Sequence, residues 1–112
     1  MDKMNDRDNR MVAEFRKRLP DDIKSQLRGI LVYGSRARGD ATEDSDLDVV
    51  ALVEDKTPEI ERRLDDIAYD VMWDFDFAPM MSLKVFSDAR FHEAAQEGWS
   101  YYRNVLAEGL SL

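Results

Sequence analysis

Met11, Val12, Phe15 and Leu19 recur at the spacing of one helix face, so residues 8 to 19 read as an amphipathic helix that Pro20 stops. Asp21 and Asp22 open a short second helical turn carrying Ile23 and Leu27. After Gly29 the pattern changes. Ile30-Leu31-Val32-Tyr33 is a continuous apolar run, the mark of a short, fully buried strand, and it ends at Gly34. Residues 36 to 44, RARGDATED, are polar and read as a connection, and SDLDVVALV (45 to 53) reads as the next strand. Thr57-Pro58-Glu59 supplies an N-cap hydroxyl and a proline at the first helical position, ahead of Ile60, Leu64, Ile67, Ala68 and Val71 on one face. That helix is expected to end near Trp73. From Ala78 to Phe86, Met81, Leu83 and Val85 alternate with Ser82, Lys84 and Phe86, the period of a strand. Ser87-Asp88 caps a helix through Phe91, Ala94 and Ala95, and beyond Gly98 the segment WSYYRNVLAEGL reads as a further short helix. Nothing repeats and no low-complexity linker intervenes. Residues 1 to 112 therefore read as a single α/β (α+β) domain, a small mixed β-sheet packed against helices.

Composition narrows the chemistry. A chain of 112 residues, 44% apolar and 36% charged with 5 Gly and 3 Pro, suits one packed core and leaves no room for a second. There is no cysteine and His92 is the lone histidine, which excludes disulfides and thiolate sites and leaves too few soft ligands for zinc. Any metal would be a hard cation held by carboxylates. A net charge of −8 argues against nucleic acid as a partner and favours a basic protein, unless the acidity serves solubility alone. The polar start MDKMNDRDNR lacks a signal-peptide core and no apolar run approaches the roughly 18 residues of a membrane span, so a cytoplasmic protein with no membrane partner is expected.

Against that background, Asp46 and Asp48 are out of place inside an apolar strand. At i and i+2 they share a face, opposite Leu47 and Val49. Two carboxylates about 5 Å apart repel by roughly 1 kcal/mol in water and about 3 kcal/mol at an effective dielectric near 20. A divalent ion would offset this, and Mg²⁺ prefers one or two carboxylates with waters and substrate phosphates. Gly34-Ser35, leaving the preceding strand, lets backbone N–H groups and the Ser35 hydroxyl approach a phosphate, with Arg36 and Arg38 adding positive charge. Singly, a Gly-Ser turn or an Asp-x-Asp is commonplace; the spacing that joins them is not.

The stretch GSRARGDATEDSDLDVVALV resembles the signature of the polymerase-β-like nucleotidyltransferases, in particular their minimal branch with the pattern GSxARGxxxxxSDxDxxV. Gly34, Ser35, Ala37, Arg38, Gly39, Ser45, Asp46 and Asp48 match it, and only the last hydrophobic position is shifted or substituted. The resemblance implies a nucleotidyltransferase fold and transfer of a nucleotidyl group. Asp46 and Asp48 would be catalytic and hold two Mg²⁺ (or Mn²⁺) ions, and Gly34, Ser35 and Arg38 would hold the phosphates of ATP. It also implies a separate HEPN-type helical protein as partner, the pair forming a toxin and antitoxin, with AMP attached to the toxin. One feature departs from the family: active members draw a third carboxylate from the strand after the intervening helix, and APMMSLKVFS has no acid. Asp74 and Asp76 precede it and read as turn residues. Lys84 either faces solvent or neutralises the aspartate pair. Two functions stay open, a protein adenylyltransferase and a degenerate module that neutralises its partner by occlusion. Trp73, Phe75 and Phe77 read as core, His92 as a surface or half-buried residue, and Trp99, Tyr101 and Tyr102 as either packing or a contact patch.

Overall fold

The structure is a computed structural model that describes residues 4–112. Helix α1 (Asp6–Lys17) is opened by Asn5, whose side-chain oxygen accepts from the Asp8 N–H at 2.8 Å, and it buries Met11, Val12 and Phe15 along one stripe. Helix α2 (Asp21–Gln26) runs directly into strand β1 (Leu27–Tyr33). This strand starts earlier than the apolar run Ile30–Tyr33, because Leu27 and Gly29 pair with Val53 and Leu52 across an irregular register.

The segment expected to be a plain connection opens with a short helix, α3 (Gly34–Arg38). Gly39 closes it at φ 84°, where its N–H and that of Asp40 both return to the Ser35 carbonyl at 3.0 and 3.1 Å. Strand β2 is Leu47–Val53, so Asp46 stands just ahead of it. Helix α4 (Pro58–Asp74) starts as its sequence dictates, with the Thr57 hydroxyl accepting from the Ile60 N–H at 3.1 Å. Strand β3 (Met81–Ser87), α5 (Asp88–Gln96) and α6 (Ser100–Glu108) follow, and a short strand β4 (Leu110–Ser111) ends the order. Two residues are too few to show a period, so β4 is defined by its pairing alone.

The sheet order is β3-β2-β1-β4. Strand β2 runs parallel to β3 and antiparallel to β1, and β4 runs antiparallel to β1, which makes the sheet mixed as expected. Val49, Ala51, Val53 and Val85 pack on one face with residues of α1 and α4, while Leu31, Val50, Leu52 and Phe86 pack on the other with Phe91 of α5 and Val105 of α6. Among the described residues no helix is long and apolar enough to cross a membrane.

The aromatic residues divide differently from expectation. Trp73 is 60% exposed, because it extends the outer and not the inner face of α4, whereas Phe75 and Phe77 lie partly buried against the core. Tyr101 and Tyr102 pack beside Phe86 with ring centroids 6.2 and 5.7 Å away, and Trp99 is left exposed. His92 is exposed, as expected, with Nε2 3.1 Å from the Asp88 carboxylate.

Candidate functional site

The antiparallel register sets Tyr33, the last residue of β1, opposite Asp48, and the parallel register sets Ser82 of β3 on the other side. Asp48 shares the sheet face of Val50 and Leu52, and Lys84 shares it one step along β3. Immediately after Tyr33 the chain turns at Gly34 with φ 81°, and the Asp48 carboxylate rests over that turn: a Cβ on Gly34 would lie 2.6 Å from Asp48 Oδ2. Only glycine allows this approach. Half-buried Ser35 follows Gly34 in α3, and Arg38 lies on the exposed last turn of α3, 3.4 Å from Asp40.

Asp46 is exposed and Asp48 half-buried. Burial pushes the Asp48 carboxyl above its ordinary value, the Asp46 charge pushes it further, and Lys84 works against both. Asp46 thus acts on Asp48 as a like charge, although only Asp48 lies on the strand. Lys84 turns toward this face without forming an ion pair with either aspartate. Its ammonium donates to the Tyr33 hydroxyl at 3.3 Å and stands 5.4 Å from the centroid of the Tyr101 ring. The Tyr33 and Tyr101 hydroxyls share a hydrogen bond of 3.0 Å, and burial together with that bond pushes the Tyr101 hydroxyl up from its ordinary value. Asp74 and Asp76 do not join the pair. Asp74 is bound to Arg18, and Asp76 is exposed in the turn after α4 at φ 57°.

The loop carrying Asp46 is held by Arg36, which is turned inward instead of lending charge to a phosphate site. Its Nη1 donates to both carboxylate oxygens of Asp8, at 3.2 and 3.0 Å, its Nε to the Ser45 carbonyl at 2.8 Å and its Nη2 to the Thr42 carbonyl at 3.2 Å. Asp8 is 1% exposed and Arg36 8%. Sequence reasoning missed this pair, although a signal existed: Asp8 continues the Met11, Val12, Phe15 stripe, where a charge requires a partner.

A family model described as a nucleotidyltransferase domain matches residues 12–106. The chain belongs to the nucleotidyltransferase domain family. Two proteins of Methanocaldococcus jannaschii resemble this nucleotidyltransferase-domain chain along most of its length, and both carry the name "Putative protein adenylyltransferase". One is 27% identical over 108 residues, covering 91% of this chain and 94% of its own. The other is 30% identical over 91 residues, covering 79% and 92%. No solved structure matches.

Within the nucleotidyltransferase domain, the Asp46 and Asp48 carboxylates have the chemistry that a hard cation takes. Asp46 and Asp48 offer two carboxylates, and Mg²⁺ commonly takes no more from a protein, filling the rest of its shell with waters and phosphates. Among the described residues no group of three or more acidic or histidine side chains could hold a metal. The β3 positions beside Asp48 carry Ser82 and Lys84 where a third carboxylate would stand.

Gly34→Ala tests the close approach. The added methyl must expel the Asp48 carboxylate, which can rotate away, so the stability loss should stay near the roughly 1–2 kcal/mol of a left-handed backbone. Mg²⁺-dependent nucleotide binding should nevertheless fail. Urea unfolding and calorimetry on the one variant separate the two effects, and full binding by a folded variant would contradict the arrangement.

Proposed function

We propose that this protein transfers AMP from ATP to a hydroxyl of a partner protein, acting as the antitoxin of a HEPN-type toxin. The observation that carries the reading is the Asp48 carboxylate seated over the Gly34-Ser35 turn with the Asp46 charge beside it. The names of the two archaeal relatives support the adenylyl group and the protein acceptor.

Mg²⁺ or Mn²⁺ held by Asp46 and Asp48 would offset their repulsion and polarise the triphosphate. The chain's own residues do the remainder. The Gly34 backbone and the Ser35 hydroxyl receive the outer phosphates. Arg38, bound to Asp40 only through an exposed ion pair, can exchange that partner for a phosphate at little cost. Lys84 adds a fixed positive charge on the same face. The acceptor oxygen bonds to the α-phosphorus as pyrophosphate leaves, and its proton passes to solvent.

A second reading, neutralisation by occlusion without transfer, is favoured by one observation: Ser82 and Lys84 stand where β3 would otherwise present an acid. A single experiment separates the two. The protein is incubated with ATP, Mg²⁺ and the HEPN-type product of the neighbouring reading frame, and the partner is weighed intact. A gain of AMP mass that disappears with Asp46→Asn, together with toxin control, is the expected result. Silencing that survives Asp46→Asn with no gain in mass identifies occlusion. Failure of the two proteins to associate defeats both readings.

A further inference from the structure

Tyr69, Trp73 and Met80 are 51%, 60% and 49% exposed, and Trp99 is the only other large hydrophobic residue so exposed among the described residues. Tyr69 and Trp73 are neighbours on α4. Tyr69, Trp73 and Phe77 stack edge to face, with centroids 6.2 Å (Tyr69 to Trp73), 5.6 Å (Tyr69 to Phe77) and 5.3 Å (Trp73 to Phe77). An exposed cluster of this kind marks a contact surface more often than a solvated face.

Its charge surroundings identify what it would contact. Asp65, Asp66 and Asp70 lie exposed on the same outer face of α4, and none of them has an ion-pair partner among the described residues. Arg62 is the single basic residue on that stretch of the face, and Asp74 is already bound to Arg18. A second copy of this chain, with net charge −8, would bring a like-charged surface to the patch. A cationic segment would instead find unpaired carboxylates for its charges and aromatic faces for its guanidinium groups.

We propose that Tyr69, Trp73 and Phe77, flanked by Asp66 and Asp70, dock an arginine-rich segment of a partner protein. The docking stands on the surface alone and does not depend on the adenylyltransferase reading.

The test uses the Trp99→Phe protein, in which Trp73 is the remaining tryptophan, titrated with a deca-arginine peptide and followed by fluorescence. A saturable change in Trp73 emission is expected, weakened at least tenfold by Tyr69→Ala and by Asp66→Asn with Asp70→Asn, and left unchanged by Glu93→Gln with Glu108→Gln on α5 and α6. No saturable change overturns the proposal. So does equal weakening by the α5 and α6 control, which would reveal general attraction to an acidic protein, and so does sedimentation showing a dimer that Tyr69→Ala dissolves. ATP binding by the Asp66→Asn, Asp70→Asn protein keeps the two proposals apart. Retained ATP binding with lost peptide binding supports docking, whereas absence of ATP binding in the wild type defeats the transferase reading and leaves the peptide result to decide the surface.

Discussion

Asp48→Asn should abolish Mg²⁺-dependent ATP binding and lower any transfer by about 10²- to 10³-fold, the equivalent of the several kcal/mol that a correctly placed cation supplies. It should do so without weakening the fold. Burial and the neighbouring Asp46 raise the Asp48 carboxyl in the native protein, so ionising it opposes folding. The stability that the protonated form contributes is complete below the ordinary aspartate range and is lost as pH rises through the raised value. At neutral pH the metal-free variant should therefore unfold at the same or a higher urea concentration than wild type, with the gap closing in acid. For the same reason, wild-type metal affinity should begin to fall at a higher pH than an ordinary aspartate would dictate, since a proton competes for Asp48. Calorimetry and urea titrations at several pH values check both halves. Unaltered ATP binding would remove Asp48 from the site, and a clear loss of stability at neutral pH would make it a structural residue.

Arg36→Met should cost about 3–5 kcal/mol of folding stability, the usual consequence of leaving one member of a buried ion pair without its counter-charge. Asp8 would be that member, since it is 1% exposed and receives both of its hydrogen bonds from the Arg36 Nη1. Replacing both residues, Asp8→Leu with Arg36→Met, should recover most of the loss, because an apolar pair of similar volume substitutes well for a buried ion pair. Urea midpoints of the two single variants and the double variant close the cycle. A single-variant loss below about 1 kcal/mol would mean that water reaches the pair. The double variant should still bind nucleotide less well than wild type, because the Ser45 carbonyl loses the Arg36 Nε bond right beside Asp46.

What the sequence disclosed follows from how far apart the cooperating residues lie. The caps at Thr57 and Ser87, the alternation in β3 and the apolar stripe of α1 are local patterns, and each element formed on its pattern, although β3 starts at Met81 instead of Ala78 and α1 runs Asp6–Lys17 instead of 8 to 19. Gly34 and Asp48 could be joined because a recognisable spacing linked them, although only the register of β1 against β2 brings one over the other. Arg36 lies 28 residues from Asp8, and nothing adjacent to it announces that the guanidinium turns inward. The Lys84, Tyr33 and Tyr101 contacts likewise join three separate elements. Trp73 shows a different limit: its residue type favours the core, while its place on α4 puts it outside.

The ion pair between Asp8 and Arg36 also bears on where this unit can be cut. The family match runs from residue 12 to residue 106. An expression fragment trimmed to those limits would keep every residue of the nucleotidyltransferase signature yet omit Asp8, stranding a cation in the interior beside the loop of Asp46. At the other end it would omit Leu112, whose N–H donates to the Ile30 carbonyl at 2.9 Å, together with the strand that covers the outer edge of β1. The unit that holds the signature in shape is larger than the family match on both sides.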